Sequence, residues 1–180
     1  MNFIETPLHG SFVIDPESIL DERGFFARTW SVDAFKARDL DSRLVECDIA
    51  WNGRRGTLRG MHYQLPPMDG AKVVRCTAGA IFDVIIDLRA DSVTRYGWFG
   101  VELSGHNRRM LYVPPGFAHG YLTLTDGAEV AYQMSAPYDR VTARGVRWND
   151  PLIGIRWPFE PTLVLSRDDS FPLIAPETEP

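Results

Sequence analysis

The 180 residues, 44% of them hydrophobic, are enough for one domain with a sizeable core and exclude a disordered or fibrous chain. Nineteen Lys and Arg against 24 Asp and Glu leave a net charge of −5, which excludes a general nucleic-acid binder, whose field has to be basic. No basic-then-apolar leader opens the chain and no apolar run reaches transmembrane length, so the expected location is the cytoplasm, away from membranes.

Along the chain, period-2 alternation predicts strands over residues 11–15, 25–30, 43–51, 57–64, 71–77, 80–88, 98–103, 110–113, 119–125 and 129–135. Turn chemistry separates them at Asn52-Gly53, Pro66-Pro67, Ala78-Gly79, Ser104-Gly105, Pro114-Pro115-Gly116 and Asp126-Gly127. Asn52-Gly53 is the clearest hairpin signal, although its loop to Gly56 is longer than two residues. A helix is predicted from Ser31, as N-cap, to about Asp39. Cys47 and Cys76, both in apolar strand-like runs, are expected to be buried free thiols rather than a disulfide framework. From Thr142 onward Pro and Trp accumulate, so an irregular segment over 142–180 should pack on the strands within a single domain, 1–180. Many short strands with one or two short helices make an all-β fold, a sandwich or jelly-roll barrel.

Alternation also assigns faces. Phe82, Val84, Ile86 and Leu88 share one side of their strand, and Asp83 and Asp87 lie opposite among Ile81 and Ile85, which turns Asp83 toward a polar interior. Two strand segments carry a histidine, Leu58-Arg59-Gly60-Met61-His62-Tyr63-Gln64 and Pro115-Gly116-Phe117-Ala118-His119-Gly120. They suggest a barrel with a polar pocket, and the scarcity of other ligands beside them favours proton chemistry over metal chemistry. Strict alternation groups His62 with Leu58, Gly60 and Gln64 and puts Arg59 on the other face. A bulge at Gly60 would bring Arg59 and His62 together. A lone strand histidine is more often packing than catalysis, so the weight falls on its companions.

Those companions carry a resemblance. The motifs Asp21-Glu22-Arg23-Gly24-Phe25-Phe26, Leu58 to Gln64, Lys72-Val73-Val74-Arg75-Cys76, Pro115 to Gly120, Trp148-Asn149-Asp150-Pro151 and Leu165-Ser166-Arg167-Asp168-Asp169 are similar, in order, to those of the dTDP-4-dehydrorhamnose 3,5-epimerase family. The resemblance implies a cupin-type jelly-roll barrel that epimerises carbons flanking the ketone of a nucleotide-linked 4-keto-6-deoxysugar, without metal, nicotinamide or flavin. It implies His62 as general base, Tyr132 as the acid on the opposite face and Lys72 as partner of the enolate oxygen. Asp169 would orient the imidazole, with its neighbour Asp168 leaving that assignment open by one residue. Arg23, Arg59 and His119 match substrate-site positions, and in a homodimer Arg23 would reach the neighbouring subunit's site. Glu46, Asp48, Gln64 and Asp83 complete the substrate-facing set expected from the strand faces.

The chain departs from the family pattern at Arg28 (usually Glu), Asp168 (usually Lys), Gln133 (usually Lys) and the strand before Asn52 (usually Gln-x-Asn-x-Ser). An ungapped comparison puts Cys47, Ile49 and Trp51 on the pocket wall. A one-residue slip puts Glu46, Asp48 and Ala50 there and leaves the apolar three to face the core, which alternation favours. Two carboxylates near a diphosphate would point to a sugar or nucleotide other than the family's usual one. Competing functions are a C3-only epimerase, a 3,4-ketoisomerase, a non-catalytic nucleotide-sugar binding module and a metal-dependent cupin. The last suffers from the poor ligand set of His62-Tyr63-Gln64, where a His-x-His pair is expected.

Overall fold

The structure, a computed structural model, describes residues 1–174. Its strands are β1 (Asn2–Glu5), β2 (Phe12–Asp15), β3 (Ser18–Asp21), β4 (Gly24–Ala27), β5 (Glu46–Asn52), β6 (Thr57–Gln64) and β7 (Lys72–Ala78). They continue with β8 (Ala80–Asp87), β9 (Trp98–Ser104), β10 (Met110–Val113), β11 (Phe117–Thr123), β12 (Ala128–Met134), β13 (Ala143–Gly145) and β14 (Leu163–Val164). Two short helices are α1 (Val32–Lys36) and α2 (Ser166–Asp169).

The strands form two facing sheets, ordered β1-β2-β10-β7-β12-β5 and β13-β6-β11-β8-β9, while β14 pairs with β6 and β3-β4 stands apart as a hairpin. This is the jelly-roll barrel expected from the strand pattern. Successive strands often change sheet: β5 to β6, β7 to β8 and β11 to β12 all cross from one wall to the other. The Asn52-Gly53 segment is therefore a corner between sheets rather than a hairpin turn. Its β-character signals were sound, but alternation does not tell an in-sheet turn from a crossing.

Three apolar clusters hold the walls together. Between the sheets lie Val74, Ile81, Ile85, Leu103, Leu111, Tyr121 and Val130. Outside the second sheet, Val84, Ile86 and Met61 pack under Val146, Ile153 and Trp157 of the segment that follows β13. Strand β8 is thus buried on both faces, which explains its unbroken run of Val and Ile. The 142–180 segment covers that outer face as far as Ile174, and its last residues, 175–180, lie outside the described residues. Helix α1 begins at the expected N-cap, with Ala34 N donating to Ser31 Oγ at 3.4 Å, and seats Phe35 against Trp30, Phe3 and Tyr112.

Strand β5 corrects two expectations. Its register against β12 sets Asp48 opposite Tyr132 and Glu46 opposite Met134, so Glu46, Asp48, Ala50 and Asn52 share the inner face. Cys47, Ile49 and Trp51 do not face the core. They lie on the outer face of an edge strand, with Ile49 71% and Trp51 66% exposed. Cys47 is accordingly an exposed free thiol, whereas Cys76 is buried. Among the described residues, none covers this apolar face.

Candidate active site

The site begins at the irregularity in β6. His119 of β11 pairs with His62, but Tyr121 pairs with Arg59, so three steps on β6 match two on β11. The extra residue is accommodated at Gly60, whose φ is +138° and where a Cβ would lie 2.6 Å from Gly120 Cα. This is the bulge that brings Arg59 and His62 to the interior, while Met61 joins the outer cluster.

His62 meets a carboxylate supplied by α2. Its Nε2 lies 2.9 Å from Asp168 Oδ1, and Gly60 N donates to Asp168 Oδ2 at 3.2 Å. A carboxylate only accepts, so by this shorter contact Nε2 carries the hydrogen and Nδ1 is the free base of the neutral ring, and Arg167 Nη2, 3.2 Å from Nε2, is then a neighbour rather than a hydrogen-bond donor to it. The orienting residue is thus Asp168, correcting the expectation of Asp169. The one-turn helix turns Asp168 inward, 2% exposed at its side chain, and Asp169 outward, where it accepts from Trp148 Nε1 at 3.1 Å. Burial pushes the Asp168 carboxyl up, but hydrogen bonds from His62, Gly60 and Arg167 outweigh it and hold the group below its ordinary value.

On the same wall, His119 Nε2 lies 2.8 Å from Asp83 Oδ1 in a fully buried pair. Burial raises the Asp83 carboxyl, against the attraction of His119 and Lys72. Lys72, at the start of β7 on the facing sheet, is lowered to about 8 by its own burial, with Asp83 acting the other way. Tyr132 of β12 sits edge-on to His119, ring centroids 6.1 Å apart. Burial carries its phenol well above the ordinary value, and Tyr121 and Asp83 add to this.

His62 and Lys72 open onto a cleft of about 390 Å³, also lined by Arg140, Arg144, Arg167 and Tyr138. Three arginines and a lysine against one acid, Asp69, make the cleft cationic in a chain that is acidic overall. Gln64 lines it too, yet its amide is committed: it donates to Met68 O and Pro137 O and accepts from Asp139 N. It pins two loops rather than offering a free group. Glu46 likewise accepts from Tyr138 N at 3.0 Å, whereas Asp48 is exposed on the inner face. Arg59 Nε donates to Asn52 Oδ1 at 2.8 Å. Arg23 is not brought to this site at all: it sits in the turn of the β3-β4 hairpin, 85% exposed and paired with Asp21.

The arrangement puts an oriented imidazole on one wall and a phenol and an ammonium on the other. That is the equipment for taking a proton from one face of a carbon and returning one to the other. Sequence reasoning missed Tyr121, in the core cluster against which Tyr132 packs, Asn52, which accepts from Arg59, and Arg167, which lies beside His62. Asn52 was masked by its turn-like neighbour Gly53, and Arg167 gave no signal beyond lying beside Asp168.

Comparison with known proteins places the chain in one family. Residues 5–175 match the family model of dTDP-4-dehydrorhamnose 3,5-epimerase. The enzyme of that name from Methanothermobacter thermautotrophicus is 43% identical over 169 residues, 93% of this chain and 90% of the relative. A crystal structure of the Bacillus anthracis dTDP-4-dehydrorhamnose 3,5-epimerase with TDP and PPi bound superposes with a TM-score of 0.92, at 35% identity, covering 96% of this chain and 99% of that one. A 3'-monoepimerase from Streptomyces bikiniensis in complex with dTDP-quinovose gives 0.86 at 31% identity, covering 93% and 85%. On motif order, fold and sequence alike, the chain belongs to the dTDP-4-dehydrorhamnose 3,5-epimerase family.

Proposed function

We propose that this protein epimerises a dTDP-linked 4-keto-6-deoxysugar without a cofactor. The observation that carries the reading is the placement of His62 with Asp168 on one sheet and Tyr132 on the facing sheet, both directed inward. His62 Nδ1 takes the proton from the carbon beside the C4 ketone. The electron pair moves to the ketone oxygen, and Lys72 as ammonium is the partner for that enolate charge. Tyr132 then gives its proton to the other face of the carbon, inverting it and becoming a tyrosinate. His62 releases its proton to water, and the tyrosinate takes one back.

The cationic cleft supports a diphosphate ligand, and neither Glu46 nor Asp48, the two carboxylates that spoke for an unusual nucleotide sugar, lines it. A homodimer is part of the proposal: Leu20 and Phe26 of the β3-β4 hairpin are 79% and 69% exposed, as are Ile49 and Trp51 to a similar degree, and in an assembly Arg23 would be carried toward a second copy's cleft. We place the reaction in the cytoplasm, supported by two unpaired cysteines and by the lack, among the described residues, of a helix long and apolar enough to cross a membrane.

The test is product identity by NMR after incubation with dTDP-4-keto-6-deoxyglucose. Inversion at C3 and C5 is expected. Inversion at C3 alone would assign the narrower activity of the monoepimerase relative, and unchanged substrate with folded protein would overturn the reading.

A further inference from the structure

The carboxylate that meets His62 stands on an element that cannot hold itself. Helix α2 is one turn long with no side-chain cap at its start, and a helix that short is unstable in water without tertiary contacts. Upstream it is tethered where β14 pairs with β6, Leu163 opposite Thr57 and Val164 opposite Leu58. Downstream the tether is the segment that follows β13. Gly145 pairs with His62, and Val146 exchanges both backbone hydrogen bonds with Met61, at 3.0 and 3.2 Å. That segment is therefore fixed to the strand that bears His62. From there it reaches across to residues 165–174. Arg147 donates from its backbone N to Pro172 O at 3.2 Å and from Nε to Phe171 O at 2.9 Å. Trp148 Nε1 donates to Asp169 Oδ1 at 3.1 Å, and the buried Asp150 carboxylate accepts from Ile174 N at 2.6 Å. The same closure places Phe171. Its ring lies edge-on to His62, centroids 5.7 Å apart, and occupies the space where a Cβ on Gly145 would meet it at 2.3 Å.

We propose that Arg147, Trp148 and Asp150 form a latch that closes the 165–174 strap over β6, and that Arg147 is a positioning residue for the His62–Asp168 pair. The inference rests on His62 as the base. Among the described residues, His62, Arg167 and Phe171 line the cleft, whereas Arg147 and Trp148 do not. The latch thus acts on the base without touching a bound substrate. An orienting carboxylate works only at hydrogen-bond distance, and a displacement of about 1 Å can cost on the order of 10²-fold in rate. Truncating the Arg147 side chain removes the tie to Phe171 O but keeps the backbone tie to Pro172 O, so the strap should loosen in part rather than detach.

The experiment reads the His62 tautomer by long-range proton–nitrogen NMR through the carbon-bound ring protons. His119, in its own buried pair with Asp83, is the internal control. In the parent, His62 should carry its hydrogen on Nε2. Asp168→Asn is the reference and should shift the His62 nitrogen signals. Arg147→Met should move them toward the two-tautomer mixture of an unpaired imidazole and leave those of His119 in place. Its kcat on dTDP-4-keto-6-deoxyglucose should fall about tenfold, with KM within about threefold of the parent. Made in the Asp168→Asn background, the same substitution should cost less than about twofold further, because the group it positions is gone. Trp148→Phe should move the same readouts by less, and it carries the test if Arg147→Met does not fold. If Asp168→Asn leaves the His62 signals unmoved, the pair itself is misassigned and the inference falls with it. If that reference shifts while neither latch variant does, the latch alone is wrong. A shift of His119 together with His62, or a rise in KM with kcat unchanged, would mean a general structural role and would also overturn the inference.

Discussion

Asp168 and Asp169 are neighbours in sequence, yet only Asp168 meets His62. In the proposed mechanism the Asp168 carboxylate, 2.9 Å from His62 Nε2, fixes the tautomer and stabilises the imidazolium that forms once the proton arrives, as in other His-Asp pairs. Asp168→Asn should therefore lower kcat about 10²- to 10⁴-fold, while Asp169→Asn should stay within about threefold of the parent. Steady-state kinetics on the two variants checks this, and the reverse ranking would restore Asp169. Lys72 provides a second test at this scale. Its ammonium is lowered to about 8 by burial, so the charged form needed at the enolate is present below that pH and lost above it. The kcat/KM profile should fall as pH rises through about 8, and Lys72→Arg, whose charge persists, should lose that limb. An unchanged limb in the arginine variant would assign it to another group.

Among the elements, β6 does most to shape the site, and Gly60 is the residue that lets it. At φ +138° with Gly120 Cα in the way, a side chain is strained in conformation and blocked by backbone at once. Gly60→Ala should cost roughly 2–4 kcal/mol of stability, read by denaturant unfolding, and should disturb His62 in any fraction that folds. The bulge was legible in sequence because Gly60 stands between two residues that must share a face. The strand β8 was legible for a similar reason, since its alternation was complete on both sides. What stayed hidden was anything set by three-dimensional context: that Asn52-Gly53 turns a corner between sheets, that a one-turn helix points Asp168 rather than Asp169 inward, and that Cys47, Ile49 and Trp51 look away from the core. Period-2 alternation says which residues share a face but not whether that face meets its own barrel or another molecule.

At the scale of the whole molecule, the exposed apolar residues of β5 and of the β3-β4 hairpin define a surface that a single chain leaves in water. Sedimentation should show a dimer at micromolar concentration, and Trp51→Glu should shift it toward monomer; a parent chain that sediments as a monomer would contradict the assembly. In the proposed mechanism the barrel holds the base His62 and the acid Tyr132 on opposite sheets, and the cleft onto which His62 opens carries charges suited to an anionic substrate. The most direct measurement of that claim is deuterium entry at C3 and C5 of dTDP-4-keto-6-deoxyglucose in deuterated water, comparing the parent with His62→Ala. The parent should exchange, and His62→Ala should lose exchange while still binding dTDP. Exchange that persists in His62→Ala would place the base elsewhere and contradict the account.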